Sequence, residues 1–241
     1  MTQEAYMNKR LIVALDVPDL KSAKHLVKIL YPAVEIFKIG SQLFTACGPE
    51  VVEMAQKAGG KVFLDLKFHD IPNTVANAAS EAAKMGVFMF NIHVSGGAKM
   101  MQAAVDAARK TAAIAAKPKP IVLAVTVLTS MDEPELRQMG ILRKTEEQVM
   151  HMASLAKDAG CDGVVCSVEE TANIRKMLGE DFIIVTPGIR PIGSEISDQK
   201  RIATPRQAIE AGSDYIVVGR PIIEAPDPLA VANKMLEEMG M

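Results

Sequence analysis

The chain has 241 residues, of which 49% are hydrophobic, enough for one large buried core. Its formal net charge of −2 argues against nucleic acid or an anionic membrane as a partner. Three scattered cysteines exclude a disulfide framework, so we expect a cytoplasmic protein. We expect neither a membrane span nor a signal peptide, because no apolar stretch reaches about 18 residues and the amino terminus is polar.

The first half of the chain alternates short apolar runs with helical patterns. Strands are predicted at 11–15, 34–37, 62–64 and 87–93. Helices are predicted at about 18–30, 49–58 and 75–85. The third of these helices is expected to be capped by Asn73 or Thr74.

The second half repeats this alternation. A helix is predicted from 97 to about 116, two more within 131–159, and a last one from about 228. Strands are predicted at 121–127, 162–167, 182–188 and 215–220. No composition shift marks a domain boundary, so we expect one domain across 1–241.

Eight strand–helix units predict the fold class. The predicted strands are apolar throughout, which is typical of parallel sheets covered on both faces. Eight units in about 240 residues match a single-domain α/β (β/α)₈ TIM barrel. A doubly wound open sheet is the alternative, but no glycine-rich fingerprint follows the first strand, where that fold carries it.

Polar residues gather where the predicted strands end, which in this barrel is the active-site end. They are Asp16, Lys38, Asp65 with Lys67, His93, Thr129 with Ser130, and Arg220. A lone histidine is more often a hydrogen-bonded core residue, so we keep His93 out of the predicted site.

The stretch from Asp65 to Thr74 places charged residues at the end of the third predicted strand. Asp65 and Lys67 are two residues apart and would share one face of a strand. With Lys38 and Asp70 they would form a chain of alternating charges, an arrangement more typical of functional sites than of stabilising ones. A lysine held by two carboxylates stays protonated, so Lys67 would donate a proton rather than form a Schiff base.

The end of the chain offers an anion site, since loops after the last two strands of these barrels often hold a phosphate. Arg220 follows the eighth strand and is suited to a bidentate phosphate contact. The polar loop 188–204, which includes Arg190 and Gln199, is long enough to act as a lid. The alternative for this loop is a solvent-exposed connection without function.

The segment from Asp65 to Val75 resembles the signature of the orotidine 5′-phosphate decarboxylase family. Further blocks follow in the family's order along the chain: Ala14–Asp16, Phe37–Gly40, Val125–Ser130, Thr186–Pro191 and Val218–Ile222. The resemblance implies a carboxy-lyase that converts orotidine 5′-monophosphate to UMP in pyrimidine biosynthesis, without cofactor or metal. It also implies that Lys67 protonates C6 of the pyrimidine and that Asp65 lies beside the departing carboxylate.

The resemblance implies further roles around the substrate. Lys38 and Asp16 would hold ribose hydroxyls, and Lys38 would orient Asp65. The base would contact Thr129, Ser130 and Pro187, and the phosphate would contact Arg190, Gln199, Gly219 and Arg220. Asp70, Ile71 and Thr74 would reach into the site of a neighbouring subunit, which predicts a homodimer with shared active sites.

Two rival functions remain open at this point. A magnesium-dependent sugar-phosphate β-keto acid decarboxylase or aldolase shares the Asp-x-Lys-x-x-Asp motif, but those relatives carry a carboxylate where this chain has Lys38. A lysine there would repel Mg²⁺. The other rival is a nucleotide-phosphate binding protein that has kept the barrel without catalysis.

Overall fold

The structure is a computed structural model that describes residues 10–191 and 203–240. Within these residues, eight parallel strands close into a barrel, each paired with the next and the eighth with the first. The strands are β1 (Leu11–Ala14), β2 (Ile36–Gly40), β3 (Lys61–Phe68), β4 (Met89–His93), β5 (Ile121–Val125), β6 (Gly163–Val165), β7 (Ile183–Thr186) and β8 (Tyr215–Val218). The predicted TIM barrel is therefore confirmed, and the open sheet is excluded.

Helices cover the outside of the barrel, and one short 3₁₀ turn, Val94–Gly96, follows β4. The helices are α1 (Leu20–Leu30), α2 (Ser41–Cys47), α3 (Glu50–Lys57), α4 (Pro72–Met85), α5 (Ala98–Ile114), α6 (Glu133–Gln138), α7 (Thr145–Asp158), α8 (Val168–Leu178), α9 (Pro205–Glu210), α10 (Arg220–Ile223) and α11 (Pro228–Glu238). No helix in the described part of the chain is long and apolar enough to cross a lipid bilayer.

Two apolar layers explain why the strands are hydrophobic on both faces. The inner layer fills the barrel: Ile12, Ala14, Ile36, Phe63, Met89, Leu123, Val185 and Val217. Neighbouring strand residues such as Val13, Phe37 and Leu64 point outward and pack under the helices. Successive strand side chains alternate between these layers, so both sets of positions must be apolar.

The predicted third strand was too short. Strand β3 runs through Asp65 and Lys67 to Phe68, because β2 pairs with it as far as Asp65 and β4 pairs with it again at Phe68. Its register against β4 shifts between Leu64 and Phe68, which marks a bulge.

The predicted cap at Asn73 or Thr74 was wrong. Helix α4 begins at Pro72, and Ile71 before it makes no side-chain capping bond. Proline suits the first helical position because its ring already fixes a helical φ and the N–H it lacks would have no partner inside the helix. The helix therefore starts two residues after Asp70, which leaves Asp70 and Ile71 in the turn.

Charged side chains hydrogen-bond to the main chain at the amino ends of strands β5 to β8. Asp162 directly precedes β6 and accepts a hydrogen bond from the main-chain N–H of Val122 in β5 at 2.9 Å. Asp214 directly precedes β8 and accepts one from Ile184 in β7 at 2.7 Å. Arg175 of α8 donates to Asp214 at 2.7 Å and to four main-chain carbonyl groups. These contacts tie strand starts and loops together.

Candidate active site

Four charged side chains form a continuous chain across the carboxyl ends of β1, β2 and β3. Lys38 Nζ lies 3.2 Å from an oxygen of Asp16 and 3.0 Å from Oδ2 of Asp65. Lys67 Nζ lies 2.6 Å from Oδ1 of the same Asp65. Two ammonium groups thus share one carboxylate, which confirms the predicted contact between Asp65 and Lys67.

Burial and the neighbouring charges shift the pKa values of Asp65 and Lys38 in opposing ways. Asp65 is only 7% exposed, and burial alone would raise its pKa, but the attraction of Lys38 and Lys67 outweighs burial and holds the pKa below its usual range. For Lys38, whose side chain is 12% exposed, burial alone would lower the pKa, yet Asp65 and Asp16 outweigh it and raise the pKa. Asp65 therefore stays anionic and Lys38 stays cationic at neutral pH.

The main chain at Lys67 has an unusual conformation. Its φ is +49°, in the left-handed region that residues with side chains seldom adopt. The Lys67 N–H donates to Oδ1 of Asn91 on β4 at 2.8 Å, and the Asn91 amide donates to Oδ1 of Asp65 at 2.7 Å. Sequence reasoning missed Asn91, although a polar residue inside the apolar run of β4 was a usable signal.

A cavity of about 240 Å³ opens beside this chain at the carboxyl ends of the strands. It is lined by most of the residues expected to bind substrate: Asp16, Lys38, Asp65, Lys67, Thr129, Pro187, Arg190, Gly219 and Arg220. Arg190 is 9% exposed and lies after β7, so it is not on a freely solvated loop. The cations Arg190 and Arg220 lie on the β7–β8 side of the cavity, and the lysine–aspartate chain lies on the β1–β3 side.

Four of the predicted site residues that the structure describes do not line this cavity. Ser130 is exposed and does not line it, although its neighbour Thr129 does. Asp70, Ile71 and Thr74 are all exposed, and none of them lines the cavity of its own chain. Gln199 lies outside the described residues, as does most of the loop 188–204.

Within one subunit, the described residues form a charge chain of Lys38, Asp65 and Lys67 that does not include Asp70. The Asp70 carboxylate accepts the N–H of Ile71 at 2.6 Å, and within residues 10–191 and 203–240 it forms no ion pair with Lys67. The physical reason is the turn before α4, which points Asp70 to the surface while Lys67 remains at the strand end. Asp16 takes the fourth place in the chain instead.

His93 lies apart from the cavity, as the sequence led us to expect. Its ring packs against the ring of His69, with centroids 5.4 Å apart, beside a separate groove. Burial, followed by the nearby His69 and Lys67, lowers the pKa of His93, so its neutral form is favoured.

The fold and the site together define a TIM-barrel protein with a charged pocket at the end where enzymes of this fold carry out their chemistry. The chain belongs to the orotidine 5′-phosphate decarboxylase / HUMPS family, whose sequence model matches residues 9–235.

Relatives and solved structures agree with this membership. The orotidine 5′-phosphate decarboxylase of Moorella thermoacetica is 52% identical over 233 residues, covering 96% of this chain and 92% of the relative. That of Syntrophotalea carbinolica is 54% identical over 232 residues, covering 96% and 95%. The crystal structure of the Lactobacillus acidophilus enzyme superposes with a TM-score of 0.84 at 38% identity, covering 97% of this chain and all of that one.

Proposed function

We propose that this protein is a carboxy-lyase that converts orotidine 5′-monophosphate to UMP and CO₂. The observation that carries the proposal is the chain Asp16–Lys38–Asp65–Lys67 at the mouth of the cavity. Family membership supports it, and so do relatives about 50% identical that are named for this reaction.

The reaction needs stabilisation of negative charge at one carbon. When the bond between C6 and its carboxylate breaks, CO₂ leaves and the electron pair stays on C6. Lys67 supplies a fixed ammonium group where this charge develops, and its proton then forms the new C6–H bond of UMP. Solvent returns a proton to the lysine. Pre-placed charge of this kind needs no reorganisation during the reaction, which is why it lowers the barrier.

The other residues of the cavity are proposed to bind the rest of the substrate. Asp65 would lie beside the departing carboxylate, and Asp16 with Lys38 would bind the ribose hydroxyls. Thr129, Ser130 and Pro187 would contact the base. The phosphate would contact Arg190, Gln199, Gly219 and Arg220. Of those that the structure describes, all except Ser130 line the one cavity, which supports a single extended substrate site.

We further propose a homodimer in which Asp70, Ile71 and Thr74 complete the partner's site. All three are exposed at or just before the start of α4, and Ile71 is 67% exposed, so these side chains are accessible to a second subunit. In this arrangement Asp70 would approach Lys67 of the partner and supply a second carboxylate, in addition to the Asp65 that Lys67 contacts in its own chain.

Mixing inactive variants tests the shared site. Lys67→Ala and Asp70→Ala are each expected to be nearly inactive as pure dimers. After unfolding and refolding an equal mixture, about half the dimers are mixed by random pairing, and one site in each mixed dimer has neither change. Activity should return to about a quarter of wild type. No recovery would contradict the shared site while leaving the decarboxylase proposal standing.

The direct test of the activity is the absorbance change on adding orotidine 5′-monophosphate with EDTA present. We expect turnover that the chelator does not reduce, because the ammonium group of Lys38 occupies the place between Asp16 and Asp65. Loss of activity in EDTA would favour the magnesium-dependent reaction. Binding of UMP without any turnover would favour the non-catalytic alternative.

We also propose that the enzyme works in the cytoplasm. Its three cysteines, Cys47, Cys161 and Cys166, are all free thiols, as is usual in a reducing compartment. Burial, and next the neighbouring Asp162, raises the pKa of Cys161 to about 12, so this thiol is unreactive. Fluorescence microscopy of a tagged chain in its own cell would test the location.

A further inference from the structure

Asn91 occupies a particular position in the barrel, opposite the bulge that carries the reacting groups. Leu64 of β3 pairs with Phe90, and the next pair is Phe68 with Ile92. Three residues of β3 therefore face a single residue of β4. The bulge interrupts the regular ladder of hydrogen bonds between these strands, so the residues in it need other partners.

The Asn91 side chain supplies these partners. Its carbonyl oxygen accepts the N–H of Lys67 at 2.8 Å, and its amide group donates to Oδ1 of Asp65 at 2.7 Å. Asn91 borders the cavity but is only 1% exposed, so its polar atoms are directed to these two bonds rather than to solvent. One buried side chain thus fixes both the main chain of the proposed proton donor and the carboxylate that pairs with it.

The contacts around Asp65 show why a neutral donor is required there. Oδ1 of Asp65 receives the ammonium group of Lys67 and the amide of Asn91, and Oδ2 receives Lys38. These three donors approach from three adjacent strands and leave the carboxylate little freedom to rotate. A carboxylate in place of the Asn91 amide would repel Asp65 at this distance.

We propose that Asn91 is a positioning residue for the decarboxylation, which holds Lys67 and Asp65 in the reactive arrangement through the bulge of β3. This inference rests on the function proposed above. It assigns Asn91 no contact with substrate. Its removal should therefore lower kcat much more than it weakens ligand binding, because a displacement of about 1 Å at the reacting group can cost about 10²-fold.

The first test is Asn91→Ala. We expect kcat to fall by about 10²-fold, with the dissociation constant of UMP changed by only a small factor, since the cations of the β7–β8 side are untouched. The matched control is Thr171→Val in α8, which also removes a buried hydrogen bond, from the hydroxyl to the Ser167 carbonyl at 3.0 Å. It should leave kcat unchanged. A folded Asn91→Ala enzyme with wild-type kcat would overturn the inference.

The second test is the pH dependence of kcat in Asn91→Asp. It distinguishes a positioning role of Asn91 from a role in packing alone. The introduced carboxyl group and Asp65 would share one site, so the pair should hold a proton at a raised pKa. With that proton the new group can donate to Asp65 as the amide does; without it the two repel. We expect kcat of this variant, relative to wild type, to rise as the pH is lowered.

Other ionisable groups near this site are present in both proteins, so dividing one pH profile by the other removes their contribution. They are Lys38 on β2, Lys67 on β3, Asp16 behind Lys38 on β1, His93 on β4, and His69 after β3. A ratio that stays constant across pH would overturn the inference.

The outcomes separate this inference from the proposed function. If wild-type protein does not decarboxylate orotidine 5′-monophosphate, the proposed function fails. If wild type is active and both folded variants keep its kcat and pH profile, only the role of Asn91 fails. Should Asn91→Ala fail to fold, Asn91→Asp, which has nearly the same shape, decides through its pH profile.

Discussion

Carboxylates and cations cluster at both ends of this barrel, but they have different partners. At the amino ends, Asp162 and Asp214 each accept a main-chain N–H of the preceding strand. Arg175 donates to carbonyl groups as well as to Asp214. At the carboxyl ends, the ammonium groups of Lys38 and Lys67 contact side-chain carboxylates at the mouth of a cavity.

The difference shows how charge is used in this fold. A charged side chain that also hydrogen-bonds to the main chain offsets the desolvation cost of its burial, because its bonds hold strands and loops together. A buried chain of side chains alone is weak evidence for stability, since desolvation offsets much of its attraction. We therefore interpret the amino-end cluster as structural and the carboxyl-end cluster as catalytic. Four experiments can test this distinction, beginning with the largest effect.

Removing one lysine at the carboxyl ends of the strands should lower kcat, whereas removing one at the amino ends should leave it unchanged. Lys67→Ala should lower kcat by at least about 10³-fold, because the proton donor and an electrostatic contact worth about 10²–10³ are lost together. UMP binding should persist, as measured by calorimetry. The control is Lys119→Ala at the amino end, which breaks the pair with Asp162 at 2.7 Å and should leave kcat unchanged. Near-normal turnover by Lys67→Ala would remove its assignment.

Arg175→Ala should affect stability rather than chemistry. It leaves Asp214 and several carbonyl groups of the loops without their donor, at a cost of about 2–4 kcal/mol in the free energy of unfolding. Urea denaturation measures this loss, and kcat of the folded enzyme should not change. The control Lys57→Ala removes an exposed pair with Glu53 and should leave the free energy of unfolding nearly unchanged, because solvent screens such pairs. A large fall in kcat would contradict the structural role.

Arg220→Ala should weaken binding and catalysis together, because the energy of a remote phosphate contact is partly realised in the transition state. Loss of charged hydrogen bonds worth about 1.5–3 kcal/mol predicts a fall in kcat/KM of about 10–10²-fold. The nucleoside orotidine, which has no phosphate, is the control substrate and should be affected much less. Equal effects on both substrates would mean that Arg220 is structural.

The smallest effect concerns acid stability. The folded pKa of Asp65 lies below its ordinary value, so its stabilising contribution is present above that value and is lost as the pH falls through the folded pKa. Below about pH 4, unfolding free energy should fall less steeply in Asp65→Asn than in wild type, by at most about 1.4 kcal/mol per pH unit. Urea denaturation at several acid pH values measures both slopes, and identical slopes would contradict the lowered pKa.

The sequence by itself determined the barrel and most of its site. Eight apolar runs separated by helical patterns were sufficient for the fold, because strands covered on both faces leave a clear signal. In a parallel barrel every carboxyl end lies at the same rim, so residues as distant as Asp16, Lys38, Asp65 and Arg220 could be assigned to one site before any distance was known.

Tertiary structure decided what depends on contacts between strands and on the exact path of the main chain. Asn91 contacts Asp65 and Lys67 across strands, and the bulge and the positive φ of Lys67 leave no mark in the local pattern. The turn into α4 turned Asp70 away from Lys67, and its proline replaced the expected cap. Local periodicity records which residues are buried, whereas these features arise only when separate segments meet and satisfy each other's polar groups.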